Sequence, residues 1–492
     1  MSALKSFLDV KRREIPFVVS MFLYFFLVIT VFWIMKPIKK AQLVAYYPYD
    51  AEKNPTGNSL DLFGMRLGGE EAELVAKVLN MVVAAIAVIV FTLLARKLHR
   101  HRLSYVFCAF SALVLTYFTF RVGNMSEIEG WAFYLFGDLF NTLMVATFFA
   151  FLNDSVAPED SKRLYGPIVL GGLTGGMAGT VGMKALGQTP QFWMIFAVVA
   201  TGLIAICATI AGRWVERKAP EAVAAAKANA DDDGETKSMG ALAGAKLVFK
   251  SRYLIAIVAI VGIYEMVSTI MDYQMTSTVT HYIEQDVRAA TDAAGGRGTA
   301  EGKAIFKAAI GDHFASVYAV TNTAAFIIQI FLTSFIMKRF GIRVALLIMP
   351  VVILGNSGLF LAIPSLWIGS MLSTTDNALN YSLNQSAKES LYTVTSREEK
   401  YAAKAFIDMF VQRFAKAIAV FLALGVSAFF PDFAAVRWLS IAVIALVAIW
   451  LFAASYAGRR FRELSEASEK VASPSTTEPS ATAGARDRSP DR

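Results

Sequence analysis

The sequence predicts an all-α polytopic membrane protein, and three observations carry that prediction. Of 492 residues, 56% are hydrophobic and only 17% charged, with a mean hydropathy of +0.50; a soluble chain of this size carries more charge. The apolar residues gather in runs as long as a bilayer is thick. Lys and Arg gather in the short segments between alternate runs. Lipid offers the backbone no hydrogen-bond partners, so runs of this kind form helices and not open sheets.

Twelve segments are long enough to span: 17–39, 74–95, 103–121, 130–152, 166–186, 191–212, 253–279, 314–337, 343–363, 366–386, 404–430 and 434–456. Lys11, Arg12 and Arg13 precede the first, and RKLHRHR (96–102) follows the second. Lys162 and Arg163 follow the fourth, RWVERK (213–218) the sixth, Lys338, Arg339 and Arg343 the eighth, Lys400 the tenth, and Arg459, Arg460 and Arg462 the last. This alternation is expected to place both termini on the cytoplasmic side of a cytoplasmic-type membrane. The net charge of +8 is therefore a matter of membrane topology and not a nucleic-acid signal. The first apolar run is too long for a cleavable signal and no small-residue cleavage site closes it.

The connection at 213–250, rich in Ala and Asp, reads as a cytoplasmic linker with room for a short surface helix. It divides an N-terminal six-helix bundle (1–212) from a C-terminal one (251–463), followed by a disordered tail (464–492) rich in Ser, Glu, Pro and Thr. Two six-helix bundles joined in this way form the major-facilitator arrangement. Segments 48–72 and 280–312 are expected as outer loops after spans one and seven. NDSVAPEDSKRLYG (153–166) and TVTSREEKYAAKA (393–405) recur at equivalent places and suit gating contacts, although ordinary helix initiation explains them as well.

Ionisable groups at membrane depth are the candidate site, because a charge in hydrocarbon is costly unless it faces a partner or a wet path. FWIMKPIKKAQLV (32–44) ends the first span with Lys36, Lys39 and Lys40 on one flank. Anchoring at the membrane edge is the plain alternative for Lys39 and Lys40. Glu265 and Asp272 in span seven are two turns apart and share a face, as coupling or gating groups or as a buried structural pair. Span eleven carries Lys404, Asp408, Arg413 and Lys416, and the approach to it carries Lys388. Asp138 and Asn141 in span four, and Asp376, Asn377, Asn380, Asn384 and Gln385 in span ten, form a polar stripe suited to a water-filled path. Lysines and arginines from both halves meeting near the midplane would clamp an anion such as phosphate.

Other motifs carry less. GPIVLGGLTGGMAG (166–179) lacks the GK[ST] ending and the preceding strand of a nucleotide-binding P-loop, and reads as close helix packing. Cys108 and Cys207 fall inside apolar runs, and the four histidines fall in loops or at span ends; no metal, cofactor or catalytic role follows.

The run YSLNQSAKESLYTVTSREEKYAAKAFIDMFVQRFAKA (381–417) resembles the span-ten to span-eleven region of the bacterial and plastid ATP/ADP translocases. NDSVAPEDSKRLYGPIVLGG and MKPIKKAQLV are similar to that family's segments after span four and in span one. The resemblance implies a twelve-span nucleotide transporter, an exchanger or proton symporter working by alternating access. It also implies that Lys39, Asp160, Asp272 and Lys404 stand where the family needs a base, two acids and a base. The family carries acids beside its span-one basic pair, whereas MKPIKK has none and puts Lys40 in place of the second. A permease for a non-nucleotide phosphorylated or organic anion, and a non-transporting receptor or scaffold, therefore stay open, as does the oligomeric state, a monomer included.

Overall fold

The computed structural model describes residues 10–49, 54, 57–62, 64–97, 100–156, 158–218, 241–395, 403–404, 406–430 and 432–472. A 3-10 turn, Arg12–Glu14, leads into α1 (Ile15–Tyr46). A two-stranded antiparallel hairpin follows, β1 (Leu60–Leu62) with β2 (Met65–Leu67). Then come α2 (Gly69–Lys97), α3 (Arg100–Arg121), α4 (Glu127–Ser155), α5 (Pro158–Leu186) and α6 (Pro190–Lys218). The second half has α7 (Ala241–Lys250), α8 (Arg252–Asp286), α9 (Arg288–Ala293) and α10 (Ala300–Ile327). A π turn, Ile328–Thr333, continues into α11 (Ser334–Ala362), and α12 (Leu366–Leu379) continues through a π turn, Asn380–Asn384, into α13 (Gln385–Leu391). After another π turn, Ile407–Val411, come α14 (Gln412–Phe429), α15 (Phe433–Val436) and α16 (Leu439–Ala472).

Nine of the described helical stretches are long and apolar enough to cross a membrane, so the chain is an all-α polytopic membrane protein. One of the nine is the 63-residue run Ala300–Ala362, inside which Gly341 has φ 79° and ψ 171°. That backbone is open to glycine and ends one helix before the next begins.

Apolar side chains form two main cores. One gathers residues from Phe17 to Ala211, and the other gathers Leu74 with residues from Val248 to Ala457. A smaller cluster joins them, in which Trp33, Ala41, Val44 and Ala45 of α1 meet Met275, Val279, Phe306, Ile310, Phe314 and Tyr318. α1 thus belongs to one core and closes on the other.

Close packing of α1 on α5 follows from the glycines of GPIVLGGLTGGMAG. A Cβ on Gly171 would stand 2.4 Å from the Phe22 carbonyl oxygen, one on Gly175 2.3 Å from that of Phe26, and one on Gly179 3.0 Å from that of Thr30. These positions are four residues apart and form one stripe along α5. Thr30 Oγ1 crosses the seam to donate to the Gly175 carbonyl at 3.1 Å.

Several boundaries differ from the sequence expectation. α1 runs past 39 to Tyr46, so its three lysines sit inside the helix. The loop expected over 48–72 contains the hairpin and the first turn of α2, because Glu70 and Glu71 favour a helix start. Most of 280–312 is helical, with Thr299 capping α10 through the Gly302 amide. α16 runs beyond 464 to Ala472. Residues 219–240, 396–402 and 473–492, which hold most of the linker, part of the second gating segment and most of the tail, lie outside the described residues.

Candidate functional site

A cavity of about 500 Å³ lies between the two cores, lined from α1, α2, α4, α8, α10, α12 with its π turn, and α14. Its size is within the range of small-molecule sites. Six cationic side chains line it, Lys36, Lys39, Lys40, Lys77, Arg413 and Lys416, against four carboxylates, Glu73, Asp138, Glu265 and Asp272. Aromatic wall is supplied by Phe32, Tyr134, Tyr264, Tyr318 and Tyr381.

Pro37 lies between the lysines of α1 and withholds the amide that would bond the Trp33 carbonyl, loosening the helix there. Lys39 is only 4% exposed, and its Nζ lies 2.5 Å from Asp138 and 4.4 Å from the Tyr134 ring centre. Gly137 makes room for it, since a Cβ there would sit 2.6 Å from Lys39 Cδ. Lys40, 2% exposed, lies 3.1 Å from Glu73 Oε1 and 3.2 Å from Asp272 Oδ1. Lys77 contacts the other oxygen of Asp272, and Glu73 at 3.7 Å. Burial and pairing of both lysines replace the membrane-edge reading. They sit inside the protein, where a cation is tolerated because carboxylates answer it.

Lys36 differs. Its ammonium stands 4.4 Å from the Trp33 ring centre and 4.6 Å from that of Tyr318. Among the described residues it makes no ion pair, and it faces the cavity. Across the cavity Arg413 donates to the Met81 carbonyl at 2.7 Å, and Lys416 lies 3.2 Å from Glu265. Asn80 contacts Asp138, and the buried Oδ1 of Asn141 has no partner among the described residues.

Bonds between the halves cluster where α1 ends and α2 begins. Tyr273 and Ser427 hydroxyls donate to Glu71 at 2.9 and 2.7 Å, and Thr276 donates to Glu73 at 2.9 Å. Lys184 meets Asp312 at 2.6 Å, and Lys307 donates to the Gly123 carbonyl at 3.2 Å. Polar latches thus tie the two halves together at this end.

Of the residues singled out in the sequence, the cavity brings together Lys36, Lys39, Lys40, Asp138, Asn141, Glu265, Asp272, Asn377, Asn380, Arg413 and Lys416. Others stand elsewhere. Asn384 is buried behind Asn380, donating to it at 3.2 Å, and Lys388 reaches the same Asn380 oxygen at 3.4 Å from above the Tyr264 ring. Lys404 turns to Glu389 at 2.6 Å, outside the cavity lining, because that carboxylate is its neighbour across the loop. Asp160 belongs to a separate cluster, in which its carboxylate and that of Glu14 each lie 2.5 Å from the Arg163 guanidinium. Bonds to these two carboxylates push Arg163 further up from its ordinary range. The side chain of Asp408 lies outside the described residues.

Sequence reasoning passed over Glu73, Lys77 and Asn80. The signal was present in EEAELVAKVLN, where Glu73 and Lys77 are i,i+4 and Asn80 follows at i+3. In the sequence alone it reads as an ordinary solvated helix start. Among the described residues no group of three His, Cys, Asp or Glu side chains is placed to hold a metal ion.

Comparison with known proteins bears on the same residues. A family model described as "TLC ATP/ADP transporter" matches residues 122–288 and 355–461. The matched segments contain Asp138, Glu265, Asp272, Arg413 and Lys416, whereas the lysines of α1 precede them. The ADP,ATP carrier protein 1 of Chlamydia muridarum is 24% identical over 190 residues, 32% of this chain and 36% of that protein. The chain thus matches little more than a third of the length of that relative. A mutant of the nucleoside transporter NupG superposes with a TM-score of 0.57 at 12% identity, over 90% of this chain and 99% of the other. The peptide transporter POT in complex with sulfate gives 0.54 at 13%, over 90% and 95%. The human organic anion transporter MFSD10 (TETRAN) gives 0.51 at 12%, over 90% and 100%. At such identities the likeness is one of fold.

Proposed function

Because the chain belongs to the TLC ATP/ADP transporter family, we propose that it moves nucleotides, ATP, ADP or related nucleoside phosphates, across a bacterial inner membrane by alternating access. We read the fold as twelve spans in two six-helix bundles. Gly341 divides the 63-residue run into two spans, and the glycine-rich α5 and the π-interrupted α12–α13 unit supply the remaining two. The bundles are 1–212 and 251–463, with both termini cytoplasmic as the Lys and Arg alternation favours.

The observation that carries the reading is the cavity in which six cations from both halves face four carboxylates. Asp138 holds Lys39, and Asp272 holds Lys40 and Lys77. Phosphate oxygens entering at Lys36 exchange with these carboxylates for the lysines, so the ammonium groups are never left without an anion. Arg413 and Lys416 supply the other side of the clamp. Tyrosines of the wall offer faces to a base. The polar latches at Glu71 and Glu73 open when the bundles rock, and binding energy at the cavity drives that exchange of partners.

A permease for a non-nucleotide phosphorylated or organic anion is the second reading. It is favoured by the modest excess of cations over carboxylates in the cavity, which suits a substrate of lower charge than ATP. Uptake of radiolabelled ATP into proteoliposomes, competed by ADP, GTP, inorganic phosphate and sugar phosphates, separates the two. Nucleotide competition at the lowest concentrations is expected. Competition by sugar phosphates alone would replace the nucleotide reading, and binding without flux would make the protein a receptor or scaffold.

A further inference from the structure

Among the carboxylates around the cavity, Asp138 answers Lys39, Glu73 and Asp272 answer Lys40 and Lys77, and Glu265 answers Lys416. Asp376 of α12 is the exception. It is 2% exposed, and one of its oxygens accepts the Ser268 hydroxyl at 2.6 Å. The other oxygen, Oδ1, is buried and has no hydrogen-bond partner among the described residues. It lies about 16 Å along the helical unit that starts at Leu366, near the middle of that unit. An ionised carboxylate there would be buried with no cation in contact among the described residues and without a full set of donors, which is strongly unfavourable. A proton on Oδ1 removes that cost.

We propose that Asp376 is the proton-binding site that couples solute movement to a proton gradient, an inference resting on the transport reading above. The step is a protonation: the carboxylate takes up one proton from the cavity and returns it on the other side of the membrane. Ser268 connects the site to the cavity, since the residue lines the cavity and its hydroxyl donates to Asp376. Glu265 lies three residues earlier on the same face of α8. The charged and titratable groups whose fields reach Asp376 are Tyr264, Glu265 and Asp272 of α8, Lys36 of α1 and Tyr381 of the π turn. From α10 the nearest titratable group bonded to α12 is His313, two turns away at Ser370. Lys36 is the cation among these, and it makes no ion pair of its own among the described residues. An anion bound at Lys36 cancels the positive field at Asp376, so the anion and the proton favour one another's binding by equal amounts. The π turn beginning at Asn380 follows one helical turn later, a backbone feature frequent at functional sites.

The test uses the full-length protein in proteoliposomes. Infrared difference spectra at neutral pH are expected to contain the C=O stretch of a protonated carboxyl that Asp376→Asn removes and Ser268→Ala shifts. An inward proton gradient is expected to stimulate wild-type ATP uptake several-fold, and Asp376→Asn uptake not at all, while that variant still exchanges labelled for unlabelled ATP. No carboxyl band lost in Asp376→Asn, or equal stimulation of variant and wild type, overturns the proposal. If the wild type carries no ATP, the nucleotide reading fails, and the infrared band still decides the state of Asp376.

Discussion

Lys40 of α1 and Asp272 of α8 lie 3.2 Å apart, and this contact ties the first helix of one core to the first long helix of the other. Asp272 also contacts Lys77, so a single carboxylate holds two ammonium groups at the centre of the protein. Asp272→Asn leaves Lys40 buried beside Lys77 with only Glu73 to answer both. Removing one partner of a buried pair is expected to cost about 3 kcal/mol, read as a lower unfolding temperature in detergent. The double variant Lys40→Ala/Asp272→Ala is expected to recover part of that loss without recovering uptake. A variant Asp272→Asn as stable as wild type would show that the pair contributes nothing to the stability of the fold.

Lys36 supports a sharper separation of binding from folding. It contacts ring faces and no carboxylate, so Lys36→Ala strands no opposite charge. Loss of one charge-assisted contact to substrate costs about 1.5–3 kcal/mol, roughly a ten- to hundred-fold rise in the concentration needed for half-maximal uptake. The unfolding temperature is expected to stay near that of wild type. Unchanged uptake by Lys36→Ala would remove this lysine from the substrate path.

The glycine stripe makes a purely structural prediction. Gly171→Ala puts a methyl group 2.4 Å from the backbone oxygen of Phe22, whereas the same change at Gly182 meets only the Trp193 ring at 3.7 Å. Backbone cannot move aside as a side chain can, so overpacking of about 1–3 kcal/mol is expected at 171. At 182 the change to alanine is expected to be neutral or mildly stabilising in a helix. Thermal unfolding of the two variants side by side checks this, and equal stability would mean that α1 and α5 separate easily.

The helical, membrane-spanning character was legible because length and hydropathy of apolar runs depend on local sequence alone. Lys36, Lys39, Lys40, Asp272, Arg413 and Lys416 were legible for a related reason: charges within such runs need an interior to face. What stayed hidden needed three dimensions. Glu73 and Lys77 lie in the first three turns of α2 and look like a solvated helix start until α1 and α8 close over them. Lys404 shows the converse. Its place in the span-eleven run suggested a phosphate contact, but Glu389, fifteen residues earlier in the chain, is the group it meets. Nothing in the spacing of those two residues marks them as partners.

Lys404 and Glu389 yield the last prediction. They lie 2.6 Å apart with side chains 36% and 45% exposed, so the pair stabilises the fold by less than about 1 kcal/mol. If Lys404 acts only through Glu389, then Lys404→Glu repels it and slows uptake, and the exchanged pair Lys404→Glu/Glu389→Lys restores it. If Lys404 touches the substrate on its way to the cavity, the exchanged pair stays as impaired as the single variant. Uptake rates of the three proteins, measured at equal amounts in the membrane and at low and high salt, decide between these outcomes. Restoration is expected, with the defect of Lys404→Glu smaller at high salt because exposed charges are screened.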